Sequence, residues 1–220
     1  RARFLREGQL AASINHPNTV YIFGSEEIAG TPVIAMELLA GGTLKDRVKE
    51  RGPLPSAEAV DAILQVIAGL DAAHAGGVLH RDIKPANCFV GRDNIVKIGD
   101  FGLSISTLAR DVTQLTTMGT FQGTPQFASP EQLKGEPLDV RADIYSVGAT
   151  LYDLLTGQPP FDDKDLMALL TRIATEAPRS PRTVMPSVPR ELAAMTLACL
   201  AKDRAARPPR IWQTHWAWWS

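Results

Sequence analysis

The sequence predicts an α+β domain, with a small strand-bearing part at its start and a larger, mainly helical part after it. Three observations carry this. Strand-like runs at 20–23 and 33–38 lie early in the chain. Val60, Ile63, Leu64 and Ile67 recur at helical spacing and mark a long helix packed by one face, beginning at Ser56. From Asp139 onward the apolar pattern is helical over 139–155, 163–176 and 189–200. A chain of 220 residues with 45% hydrophobic content can bury about 70% of its unfolded surface, enough for one domain.

Each element has a local cause. The reading places a helix over 1–14, ended by the turn His16-Pro17-Asn18 that leads into the two strands. Two strands alone are marginal in water, so the rest of their sheet is expected outside these residues. Thr43, with Asp46 three positions on, is a capping box that starts a short helix, stopped at Gly52-Pro53. Val78-Leu79 and 94–98 read as short strands that hold the intervening loop at both ends. Gly157-Gln158-Pro159-Pro160 and a Pro/Ser/Arg stretch separate the last helices. No internal repeat and no domain-dividing linker is visible.

Composition excludes several function classes. A net charge of -1 and an isoelectric point near 6.5 give no sign of attraction to nucleic acid or to a membrane surface. Cys88 and Cys199 lie far apart and suit free, partly buried thiols in a reducing interior. Four scattered histidines do not make a zinc site. No run approaches the roughly 20 apolar residues that span a bilayer, and no signal peptide is visible. The expected location is cytoplasmic, with any anchor of a parent protein outside this segment.

The chemistry is concentrated in His80-Arg81-Asp82-Ile83-Lys84-Pro85-Ala86-Asn87, followed by Asp100-Phe101-Gly102. Phosphoryl transfer needs little covalent help and much electrostatic positioning: a base, a cation and hard oxygen ligands for magnesium. Asp82 can orient and deprotonate an attacking hydroxyl. Lys84 can sit against the transferring phosphate, and Asn87 and Asp100 offer the oxygens that Mg²⁺ prefers. Taken singly, Asp82 reads as a turn residue and Asn87 as a cap; the joint pattern selects catalysis.

At these residues the chain resembles the eukaryotic-type (Hanks-type) serine/threonine protein kinases, most closely the bacterial ones, and further matches follow in order. Phe4-Leu5-Arg6-Glu7 resembles the family's regulatory helix in the small lobe, with Glu7 as its glutamate. Met36-Glu37-Leu38-Leu39 resembles the gatekeeper and hinge, where backbone groups of Glu37 and Leu39 would meet adenine. Phe89 would join that nucleotide pocket. Gly123-Thr124-Pro125-Gln126-Phe127-Ala128-Ser129-Pro130-Glu131 resembles the end of the activation loop, with Ser129 where Ala is usual. Asp143-Ile144-Tyr145-Ser146-Val147-Gly148 and the run from Cys199 to Arg207-Pro208 complete the set.

The resemblance implies a protein-kinase-like fold, mainly the helical large lobe with a remnant of the small one, that uses ATP and Mg²⁺ on Ser/Thr hydroxyls of protein substrates. It makes Thr124 a neighbour of Asp82 and Lys84, His80 and Phe101 packing residues, Glu131 and Arg207 an ion pair, and Asp143 a buried acceptor for the catalytic loop. Lys84-Pro85 stands in the Ser/Thr form rather than the tyrosine-kinase one. Residues 1–210 would form one kinase domain, 1–38 the small-lobe remnant and 39–210 the large lobe.

The family's Gly-rich strand pair and the lysine that meets Glu7 are missing, and no Gly-x-Gly-x-x-Gly occurs anywhere. The expectation is an N-terminally truncated kinase domain, inactive as it stands. A pseudokinase-like scaffold and a small-molecule phosphotransferase are the alternatives. Intact Asp82, Lys84, Asn87 and Asp100 disfavour the first, and Thr124 with the Glu131/Arg207 pair disfavours the second. Trp212, Trp216, Trp218 and Trp219 crowd into 211–220. That tail is either a helix face docked on the large lobe or a cloning or reading-frame artefact.

Arg81, directly before the base, suggests control by phosphate, because a phosphothreonine brings nearly two charges and three acceptors that an arginine can hold bidentately. Thr120, or Thr116 with Thr117, is the expected phosphorylated position. Mass mapping of the active full-length enzyme should find phosphate there; three unmodified threonines would remove the idea.

Overall fold

The computed structural model describes residues 14–29, 31–101 and 125–209. Glu7, Gly102, Thr116, Thr117, Thr120, Thr124, the tail at 211–220 and most of the helix expected over 1–14 lie outside them. Within them are two antiparallel strand pairs and a mainly helical body, against which the second pair packs.

β1 (Ile22–Ile28) pairs with β2 (Thr31–Met36), Ile28 facing Thr31 and Ile22 facing Met36, with a bulge between Ile22 and Gly24. β1 starts later and runs further than the sequence reading. Gly24 does not break it, and Val20 is diverted: its N–H donates to the Ile98 carbonyl at 2.9 Å, while Ile98 N–H returns to Asn18 O at 2.9 Å. Residues 18–20 therefore run parallel beside β4 (Val96–Ile98), which itself pairs with β3 (Cys88–Val90). Val78-Leu79 forms no strand; the Val78 N–H closes the preceding helix on Ala73 O at 2.9 Å.

α1 (Leu44–Arg51) begins as the sequence indicates. Thr43 Oγ1 accepts from Asp46 N at 3.2 Å and Asp46 Oδ2 accepts from Thr43 N at 2.9 Å, satisfying two otherwise orphan donors. α2 (Ser56–Ala75) buries Val60, Ile63, Val66, Ile67 and Leu70. Leu64, placed on that face by periodicity, is 40% exposed instead. Gly69 lets α2 approach the site strands, since a Cβ there would lie 2.5 Å from Asn18 O.

α3 (Pro130–Leu133) precedes α4 (Val140–Thr156), which is buried along most of its length and capped by Asp139, whose Oδ1 accepts from Arg141 N at 2.9 Å. α5 (Leu166–Thr175) starts later than expected because Asp165, not Asp163, is its cap, with Oδ1 accepting from Ala168 N at 2.8 Å. α6 (Pro181–Val184) is short, and α7 (Arg190–Cys199) packs on α4 where Gly148 meets Cys199. One apolar core joins α2, α4 and the β3–β4 pair. A smaller one gathers Tyr145, Tyr152, Phe161, Leu169 and Ile173. Cys88 and Cys199 are free and buried, more deeply than the expected partial burial, and burial pushes both thiols up to about 12. No helix among the described residues is long and apolar enough to cross a membrane.

The buried ion pair of Glu131 and Arg207 fastens α3 to the end of the helical body. Arg207 donates to both carboxylate oxygens at 2.6 and 2.8 Å and also to the carbonyls of Ala201, Arg141 and Lys202. Burial pushes the Glu131 carboxyl up, but the hydrogen bonds from Arg207, a backbone hydrogen bond, the Arg207 charge and a hydrogen bond from Ser129 together outweigh this and hold it below the ordinary 4.5. A carboxyl depressed by folding contributes stability above its unfolded value and loses it as pH falls through the folded one. Arg207→Ala should cost about 3–5 kcal/mol in chemical denaturation at neutral pH, since it strands a buried carboxylate. The deficit should shrink in acid below the ordinary 4.5.

Candidate active site

The loop after α2 is organised by one carboxylate from α4. Asp143, fully buried, accepts from His80 N at 2.9 Å on Oδ2, from Arg81 N at 2.8 Å on Oδ1, and from His74 Nε2 at 2.7 Å on Oδ2. Two successive backbone donors converging on one acid is possible because Arg81 turns into the left-handed region, φ 68°. The loop's first end is therefore held by Asp143, not by the strand the sequence suggested.

His80 is fully engaged. Its Nε2 donates to the Gly99 carbonyl at 2.8 Å and its Nδ1 accepts from Asp82 N at 3.2 Å, which fixes the neutral tautomer. Burial holds its pKa down against the opposing Asp143. Both ring nitrogens are occupied and the ring centroid lies 4.5 Å from that of Phe101 with the planes tilted by 48°, so His80 is engaged in packing.

Asp82, Lys84, Asn87 and Asp100 come together. Lys84 Nζ donates to both Asp82 oxygens at 3.0 and 2.8 Å, and Asn87 Nδ2 donates to Asp82 O at 2.8 Å and Oδ2 at 2.9 Å. A 3₁₀ turn over Pro85–Asn87 carries Asn87 from the loop into β3. Gly99 N–H donates to Asn87 O at 3.0 Å, tying the strand that delivers Asp100 to the residue that faces it. Asp100 also takes a left-handed φ, 62°. Burial, with Asp82 nearby, pushes the Asp100 carboxyl up against the opposing His80 and Lys84, and no hydrogen bond to its carboxylate is found among the described residues. Arg81 Nε is buried without a partner among the described residues.

Met36, Glu37 and Leu39 lie where β2 passes into the segment before α1. Glu37 N–H already donates to Tyr21 O at 2.9 Å, so its carbonyl is what remains for a ligand. Phe89 stands opposite Lys97 in the β3–β4 register, on the face away from the core. Gly99 makes room for it, since a Cβ there would come within 2.9 Å of the Phe89 ring.

His74, Lys97 and Gln132, whose Nε2 donates to Arg81 O at 2.6 Å, escaped the sequence reading. His74 and Gln132 carry no local signal. Lys97 did carry one: it alternates with Val96 and Ile98 in a strand, so it faces away from the core. Beside Lys84 an open cavity of about 420 Å³ is lined by Lys45, Val48, Gln126, Phe127 and Asp153 among others.

The protein kinase domain model matches residues 1–216. The serine/threonine-protein kinase PknB of Mycobacterium leprae is 38% identical over 205 residues, 91% of this chain and 33% of that protein. The probable serine/threonine-protein kinase PknB of Bifidobacterium longum is 36% identical over 215 residues, 94% of this chain and 31% of that protein. The crystal structure of Rad53 1-466 in complex with AMP-PNP superposes with a TM-score of 0.81 at 25% identity, covering 97% of this chain and 53% of that one. The chain belongs to the protein kinase family, and its curated relatives here are serine/threonine kinases. It spans about a third of the length of those relatives.

Burial pushes the Asp153 carboxyl up from 3.8 to about 6, Lys45 opposing. A carboxyl raised by folding gives up its proton more readily in the unfolded chain, so its burden grows as pH rises from 3.8 and is complete above about 6. Asp153→Asn should match the unaltered chain near pH 4 and exceed its stability at pH 8 by up to about 3 kcal/mol, read from denaturation midpoints.

Proposed function

We propose that the chain is the catalytic domain of a serine/threonine protein kinase that moves the γ-phosphate of ATP to Ser or Thr hydroxyls of proteins. The observation that carries this is the Asp82 carboxylate, held by Asn87 at 2.9 Å and Lys84 at 2.8 Å beside the buried Asp100. Asp82, fixed through its backbone and side chain, orients the substrate hydroxyl and accepts its proton. Lys84, already charge-paired there, places its ammonium where negative charge accumulates on the transferring group. Thr124 and Arg81 keep the roles that the family likeness gives them, at the substrate mouth and toward a phosphorylated loop.

The donor set suits Mg²⁺. Asn87 has committed its amide nitrogen to Asp82, which leaves its carbonyl oxygen without a partner among the described residues. Asp100 supplies a carboxylate whose burial is relieved by a cation. Among the described residues no cluster of three or more His, Cys, Asp or Glu offers a self-sufficient metal site, as befits an ion shared with substrate phosphates. When bound, Mg²⁺ would neutralise charge on the phosphate oxygens.

The proposal also includes a Gly-rich strand pair and a lysine for Glu7 joined to this sequence. A phosphotransfer assay with ATP and Mg²⁺ on a generic Ser/Thr protein should give signal from such an extended chain and none from this one alone; robust transfer by the short chain would contradict that part. In the extended chain Asp82→Asn should lower kcat by about 100- to 10,000-fold with nucleotide affinity kept. Unchanged turnover would remove Asp82 as the base.

A further inference from the structure

We propose that Lys97 is a positioning residue for adenine, acting through the side chain of Glu37; this rests on the kinase reading above. Lys97 Nζ donates to both Glu37 oxygens, at 2.7 and 2.9 Å, with the two side chains only 21% and 24% exposed. Glu37 Oε1 also accepts from Tyr21 N at 2.7 Å, and Glu37 N donates to Tyr21 O at 2.9 Å. Tyr21 follows Val20, whose N–H is bonded to Ile98 O on the same strand as Lys97. The contacts close a ring: Lys97 to Glu37, Glu37 to Tyr21, Tyr21 along the chain to Val20, and Val20 back to Ile98.

An isolated surface ion pair contributes little. This one differs in kind, because it is bidentate, largely shielded, and shares its acceptor with a backbone N–H that has no other partner among the described residues. Without Lys97 the Glu37 carboxylate would seek water and release Tyr21.

The ring has a functional direction. Lys97 stands opposite Phe89, which the family likeness assigns to the nucleotide pocket, so one strand pair carries both that residue and the clasp on the segment flanking the pocket. With the Glu37 N–H consumed, its carbonyl and the backbone of Leu39 are left to read the edge of the base. Adenine offers an amino donor on that edge where guanine offers a carbonyl. A carbonyl held in register therefore favours adenine, and one that drifts loses the preference.

The test is equilibrium titration, with MgATP and with MgGTP, of this sequence extended by its Gly-rich strand pair and lysine. Lys97→Met and Glu37→Gln should each weaken ATP binding about five- to tenfold and GTP binding less than about twofold. The double variant should lose no more than the weaker single, and Lys97→Arg should stay within about twofold of the unaltered chain. Multiplicative losses in the double variant, or an unchanged ATP-to-GTP ratio alongside a lowered Tm, would overturn the clasp and leave the kinase reading standing. No detectable ATP binding by the unaltered extended chain would overturn the kinase reading itself, and the clasp with it.

Discussion

The site depends on a carboxylate buried in the middle of the helical body. Asp143 sits in the first turn of α4, with no exposed surface, and accepts from two consecutive backbone amides of the catalytic loop. Leaving such amides buried and unpaired would cost roughly 1–3 kcal/mol each, so α4 and the loop are fixed to one another. The strain is local: a non-glycine residue in the left-handed region costs on the order of 1–3 kcal/mol, and Arg81 bears it where Asp143 offsets it.

From that anchor the rest follows by short links. His80, held by its own amide, uses one ring nitrogen to fix Asp82 and the other to fix Gly99. Gly99 in turn bonds Asn87 and precedes Asp100. Asp82, Asn87 and Asp100, the proposed base and metal ligands, are thus related through one imidazole and one glycine, not through flexible side chains alone. Preorganisation of this kind is what phosphoryl transfer asks of a protein, since the reacting group needs positioned charge and little covalent help.

The motif residues, the capping box at Thr43 and the long helices were legible because each rests on local spacing or on a family pattern. The expected strand at Val78-Leu79 was not. β propensity there lost to helix-end hydrogen bonding, since Val78 N–H closes α2. β1 runs past the expected 20–23 because Gly24 sits beside a bulge with open space about it and does not end the strand. Leu64 was assigned to the packed face because spacing marks a stripe without fixing its edges. His74 and Lys97 become meaningful only when the fold brings Asp143 and Glu37 to them, at separations of 69 and 60 residues.

The most direct measurement of the anchor is hydrogen exchange at the His80 and Arg81 amides, compared between the unaltered chain and Asp143→Asn, with Val66 in α2 as internal reference. The account predicts that in the unaltered chain these two amides exchange only as slowly as the α2 core. In the variant at least one of them should speed up by at least about tenfold while Val66 does not, because an amide side chain offers one acceptor where the carboxylate offers two. Equal protection of His80 and Arg81 in both proteins would contradict the claim that Asp143 holds the catalytic loop.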